Sequence, residues 1–277
     1  MTSFLSRYSR MRSLAGIAVL LFLGRFCLET KLADPLQNLL FLAGIAAGIL
    51  ALQYLLQRHE INGSPSIFPQ LLTALFLTGA PGVYASTEAA LASPLVLLAV
   101  SNIFDCYRND RCRVAVFNAF FLLTAASLLL PPLIWTLPFF WMLFNLVQTL
   151  SPRRFLSSLA GIACVLWLVG GVLWLSGHTD FVHLYFRQAV SGLGRPTEWH
   201  TFDWIMLGLA AVLSGAIVVG LLSSLTHEKH RVRLFLLFIL FWWLLLLAGA
   251  VVFGQRLTDF LLLAAWPACL LAGHLIS

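Results

Sequence analysis

LFLLFILFWWLLLLAGAVVF, from Leu234 to Phe253, holds no charge, amide or hydroxyl. A helix that crosses the hydrocarbon core of a bilayer needs about 20 such residues, and this run supplies them in one piece. Its borders are as informative as its centre. Lys229, Arg231 and Arg233 crowd its start, and Arg256 follows its end. Beyond Arg256 a second apolar run, Thr258–Ile276, carries a single acid, Asp259.

Reading outward from there, the same pattern repeats along the chain. The remaining candidate spans are Leu14–Leu28, Leu36–Leu56, Phe68–Tyr84, Ala89–Phe104, Val114–Pro131, Pro132–Leu150, Phe155–Ser176 and Trp204–Leu225. The fifth and sixth spans of the chain meet at Pro131-Pro132, which reads as a tight turn or a kink. Charged residues make up 10% of the sequence, against about 25% in a soluble domain that must keep a wetted surface. The expected fold is therefore all-α: a polytopic transmembrane helix bundle of about ten spans, within a range of eight to ten. It forms a single transmembrane helical domain over 1–277, with an outer interfacial loop at 177–202.

Orientation follows from the basic residues. With the N-terminus inside and ten alternating spans, Arg7, Arg10, Arg12, Arg58, Arg108, Arg111, Arg113, Arg153, Arg154, Lys229, Arg231 and Arg233 fall on the inner side. Lys31, Arg187, Arg195 and Arg256 fall outside, and Arg25 lies near the outer end of the first span. Inner loops are enriched in Lys and Arg, so both termini are expected in the cytoplasm. The implied place is the bacterial inner membrane. Arg7, Arg10 and Arg12 ahead of Leu14–Leu23 resemble a secretion signal, but no small-residue cleavage site follows, and an uncleaved signal anchor is expected.

Polar residues worth testing are few. Arg25 sits inside an apolar run with Glu29 one turn on, so a snorkelling pair competes with an anion or headgroup contact. Glu29 and Asp34 stand just outside the first span, where an enzyme working at the membrane surface would keep an acid. The outer stretch 177–202 reads as a short helix from Asp180, with Phe181, Leu184, Tyr185 and Gln188 on one stripe against lipid or an apolar groove. His183 and Arg187 belong near the headgroups. The candidate binding residues are thus Arg25, Glu29, Asp34, His183 and Arg187. Outer acids outnumber outer bases, with Glu88, Asp180, Glu198, Asp203 and Asp259 joining Glu29 and Asp34. Solvated loop charge is their default role.

His178, His183 and His200 share the outer loop with three acids, but at no metal-ligand spacing such as H-x-x-x-H. The five cysteines, Cys27, Cys106, Cys112, Cys164 and Cys269, are scattered and odd in number, which reads as reduced and unpaired. No metal or cofactor is expected. Gln53, Gln70, Asn102, Asn118, Asn145, Gln148 and His274 lie inside spans, where such groups bond across helices. Asp105 is placed at an inner helix end, in water. The basic charge is explained by the inner helix ends, so nucleic acid is not a partner.

Three stretches carry a resemblance: Leu130-Pro131-Pro132-Leu133, Ser151-Pro152-Arg153-Arg154-Phe155, and Thr258–Pro267 followed by Leu271-Ala272-Gly273-His274. In these the chain resembles an uncharacterised family of polytopic inner-membrane proteins from Bacteroidota, over about half its length. The resemblance implies a helical membrane protein and brings no functional residues. More distantly, the short basic inner turns are similar to those of multi-spanning glycosyltransferases that use lipid-linked sugars. This chain departs from them in its first outer loop, which is too short for their acidic motif. The first expectation is an accessory or assembly component of a cell-envelope system, with membrane lipid and other envelope membrane proteins as partners. An enzyme acting on lipid-linked sugars at the outer leaflet, and a small-molecule or lipid transporter, are the alternatives.

Overall fold

The computed structural model describes residues 35–59, 61, 72–73, 86–109, 111–147, 151–177, 180–190, 208, 212, 214–221, 223 and 229–276. Among them every regular element is a helix. In chain order these are α1 (Pro35–His59), α2 (Thr87–Phe104), α3 (Arg113–Leu129), α4 (Thr136–Val147), α5 (Pro152–Leu175), α6 (Asp180–Val190), α7 (His230–Val252) and α8 (Leu257–Ile276). Two 3₁₀ turns, Pro131–Trp135 and Gly254–Arg256, join α3 to α4 and α7 to α8. Residues 214–221 are also helical.

Among the described residues, five helices are long and apolar enough to cross a membrane: Leu36–His59, Thr87–Phe104, Pro152–Leu175, His230–Val252 and Gly254–Leu275. Arg113–Leu129 and Pro131–Val147 are shorter apolar helices. The Pro131-Pro132 junction is the 3₁₀ turn, because two successive prolines cannot donate to a continuing α-helical ladder. The expected first and third spans, Leu14–Leu28 and Phe68–Tyr84, lie outside the described residues, save for helical 72–73.

Contacts along the helices fix their directions. Gly44 of α1 lies against the Ala90 backbone, where an added Cβ would come within 2.7 Å of its carbonyl. Further along, Gly48 faces Ser93, and His59 reaches Ser101. The paired numbers rise together, so α1 and α2 are parallel, and His59 and Ser86 lie at opposite ends of the bundle. By the same test α3 and α5 are parallel: Ser157 Oγ donates to the Arg113 carbonyl at 2.7 Å, and Gly161 faces Phe117. The α7 helix starts beside the end of α2, where Phe104 and Phe235 stack at 4.1 Å. The α8 helix starts beside the start of α2, through Ser86 and Asp259. Gly220 faces Leu275, the far end of α8.

These directions give the bundle two chemically different ends. Arg58, Arg113, Arg153, Arg154, Lys229, Arg231 and Arg233 collect at one, the basic end. Ser86, Glu88, Arg256 and Asp259 collect at the other, the clamp end. Between them the buried core is built from Phe41, Phe104, Phe120, Phe140, Phe144, Phe238, Trp242 and Trp266. Pro94 lies inside α2, and its missing N–H leaves the Ala90 carbonyl without its helical donor. Ser93 Oγ donates to that carbonyl at 2.9 Å and repairs the gap where α1 packs closest.

Candidate functional site

The clamp end holds a polar constellation built from two helix starts. Glu88 and Asp259 lie in the first turns of α2 and α8, where the helix dipole favours a carboxylate. The 3₁₀ turn before α8 delivers Arg256 between them. Its Nη1 donates to Glu88 Oε2 at 2.5 Å and to Asp259 Oδ2 at 3.3 Å. Ser86 Oγ donates to the other carboxylate oxygen of Asp259, which is buried. Each oxygen of that acid is therefore engaged. The arrangement ties α2 to α8 and leaves only Glu88 half-exposed.

A few residues away, α6 is fastened to the same end of the bundle. Gly177 closes α5 in the left-handed region, at φ 75°, a conformation that favours glycine and turns the chain out of the helix. The α6 helix then begins at Asp180, as the sequence predicts, with that acid in its first turn. Tyr185 Oη donates to Ser127 Oγ at 3.1 Å, and Trp135 Nε1 donates to the Ala189 carbonyl at 3.0 Å. Burial pushes the Tyr185 hydroxyl above its ordinary pKa, and the bond to Ser127 opposes that shift. Of the stripe expected against lipid or an apolar groove, Tyr185 is buried and Leu184 is exposed. Tyr185 lies against protein because the chain offers it a hydroxyl partner, and the buried pair is Tyr185 with Ala189. His183 and Arg187 are both exposed on α6. Arg25, Glu29 and Asp34 lie outside the described residues.

At the basic end, Arg58 Nε donates to Asp105 Oδ1 at 2.8 Å, and Arg58 also bonds the Tyr54 hydroxyl. Asp105, expected simply in water, thus links the end of α1 to the end of α2. His59 Nε2 lies 3.1 Å from both the carbonyl and the hydroxyl of Ser101. Its ring meets Phe104 and Phe235 edge-on. Cys106 and Cys112 are buried free thiols in the turn between α2 and α3. Burial and the neighbouring Cys112 push the Cys106 thiol well up, with Arg154 pulling the other way.

Sequence reading missed the Arg58–Asp105 and Arg256–Asp259 ties. A usable signal existed for both: alternation of spans places each pair at one membrane face, with a charge just at a helix end. Nothing in the sequence points to the Trp135–Ala189 bond, since its acceptor is backbone. Among the described residues, no group of three or more His, Cys, Asp or Glu side chains lies close enough to hold a metal ion. No family model, curated protein or solved structure matches the chain.

Proposed function

We propose that this chain is a multi-pass protein of the bacterial inner membrane with ten crossings and both termini in the cytoplasm, serving as a non-catalytic accessory or assembly component of a cell-envelope system. The directions of the described helices support the count. Alternating crossings require α1, α2 and α8 to run one way and α7 the other, with α3 parallel to α5, and the contacts among these helices agree. The parallel α1 and α2 leave room for one crossing in 60–85. The basic end then faces the cytoplasm under the positive-inside rule.

The observation that carries the accessory reading is how the polar side chains are used. Arg58 with Asp105, His59 with Ser101, Ser86 with Asp259, Arg256 with Glu88, Trp141 with Ser158 and Tyr185 with Ser127 all join one helix to another. Polar groups bonded in this way rigidify a bundle and are withdrawn from chemistry. The second reading, an enzyme on lipid-linked sugars, draws on the exposed His183 and Arg187 at the clamp end. Purified protein given a polyprenyl-phosphate sugar should leave it unchanged. Turnover that disappears in His183→Ala or Arg187→Ala would decide for the enzyme.

Topology has its own test. The native Cys106 and Cys112 are buried and label poorly from either side, so the reporter belongs on exposed Arg108 or His183. In intact cells an impermeant maleimide should react with the His183→Cys variant and not with Arg108→Cys. The reverse pattern would invert the orientation, and labelling of both would remove the crossings between them.

A further inference from the structure

The α6 helix carries four kinds of side chain on four sides. At about 100° per residue, Tyr185 and Ala189 share the side docked on the bundle. Val182, Phe186 and Val190 follow about a quarter-turn on, all exposed. Leu184 and Gln188 lie on the other flank, with Asp180 beyond them. His183 and Arg187, one turn apart, point away from the docked side. A helix pinned to a membrane protein at its edge meets this division when protein is behind it, acyl chains below, water above and headgroups in front.

Its position fits that setting. The preceding α5 ends at Leu175, with Trp174 and Leu175 exposed. Indole rings favour the headgroup layer, so the end of α5 marks that depth. Gly177 turns the chain there, and the bonds from Trp135 and to Ser127 hold α6 at that level. No carboxylate among the described residues pairs with Arg187. Its planar guanidinium can engage two oxygens of one phosphate, and His183 on the same edge can donate a third bond.

We infer that α6 is an interfacial arm: Val182, Phe186 and Val190 lie against acyl chains, and Arg187 with His183 binds the phosphate of a phospholipid in the leaflet at the clamp end. The inference rests on the membrane reading above. It differs from the stripe read off the sequence, because docking Tyr185 on Ser127 rotates the helix and brings Val182 and Phe186 down in place of Leu184.

Nitroxide labels test it in the full chain, with the five cysteines changed to alanine and the protein in phosphatidylglycerol vesicles. Labels at the variants Val182→Cys and Phe186→Cys should be more accessible to oxygen than to a nickel chelate. Labels at Leu184→Cys and Gln188→Cys should show the opposite. A label at Trp167→Cys, on the exposed side of α5, reports separately on the membrane reading. If Trp167 reports acyl chains while Val182 and Phe186 report water, the arm is refuted and the crossings stand. If Trp167 reports water, the crossing by α5 falls and the arm with it. For the phosphate, retention of spin-labelled phosphatidylglycerol by the purified protein should drop roughly fivefold in Arg187→Gln and further in Arg187→Gln with His183→Gln. Unchanged retention overturns the headgroup site. Displacement of the lipid by inorganic phosphate would show a free-anion site and overturn the lipid assignment.

Discussion

The α8 and α5 helices are both long apolar helices, yet they live in different surroundings. Of the spanning window of α8, 72% is buried inside the bundle; of that of α5, 17% is. The more buried helix is the less hydropathic of the two. In a soluble protein that order would be puzzling. In a membrane, lipid is as apolar as leucine, so burial is driven by close packing and by polar groups that need partners. The α8 helix brings Asp259 to Ser86 and lays Trp266 on Gly48. The α5 helix packs at Gly161, Ser157 and Ser158, and otherwise turns Trp167, Val172, Trp174 and Leu175 outward.

The sharpest way to break this contrast is to remove the same residue type from each helix. Trp266→Ala empties a site that is 1% exposed and should destabilise the protein by about 3–5 kcal/mol. Trp167→Ala, at 82% exposed, should leave stability in lipid unchanged within about 0.5 kcal/mol. Thermal unfolding in nanodiscs, followed by circular dichroism, measures both. Equal losses would mean that α5 is also covered.

A glycine pair sharpens the same point. Gly44→Ala drives a methyl group to 2.7 Å from the Ala90 backbone, which cannot retreat along a side chain, and about 1–3 kcal/mol should be lost. Gly170→Ala on α5 meets nothing within 4 Å, so the better helix former should add about 0.5–1 kcal/mol.

Polar ties should matter next. Asp259→Asn keeps the shape of the clamp but removes its charge, and should lower stability by about 1–2 kcal/mol. High salt should narrow the gap between variant and parent only slightly, because Asp259 is buried. Of the two polar ties, the smaller effect belongs to α6. Tyr185→Phe removes one bond to Ser127 and should cost about 0.5–1.5 kcal/mol locally, read as faster amide exchange in α6 while the other helices keep their protection.

How legible these differences were in the sequence depends on what carries them. Helix positions follow from uncharged runs: the expected Leu36–Leu56, Ala89–Phe104 and Leu234–Phe253 match Pro35–His59, Thr87–Phe104 and His230–Val252 within a few residues. Hydropathy finds such runs because bilayer thickness demands them. It says nothing about which helix is central, and hydropathy alone would have ranked α5 and α8 wrongly. The usable marks were Ser93 beside Pro94, Gly44 four residues before Gly48, and Asp259 in an otherwise apolar run. Each was visible, but its meaning depended on which helix would be its neighbour. For the candidate site, the α6 helix and its start at Asp180 were readable from spacing. Its rotation was not, since that is set by Ser127, far away in sequence. Arg25, Glu29 and Asp34 stay untouched by these comparisons.

The contact between Gly48 and Trp266 joins the first described helix to the last. At ordinary rates of about 5–20 residues per second, a ribosome needs roughly 10–40 s to travel from one to the other. During that interval α1 and α2 are already made, with the Ser86 hydroxyl awaiting Asp259 of the last helix. A nascent chain stalled at that stage displays a hydroxyl group that the finished protein hides. Its maturity can therefore be recognised by whatever surveys the bilayer for unpaired polar helices.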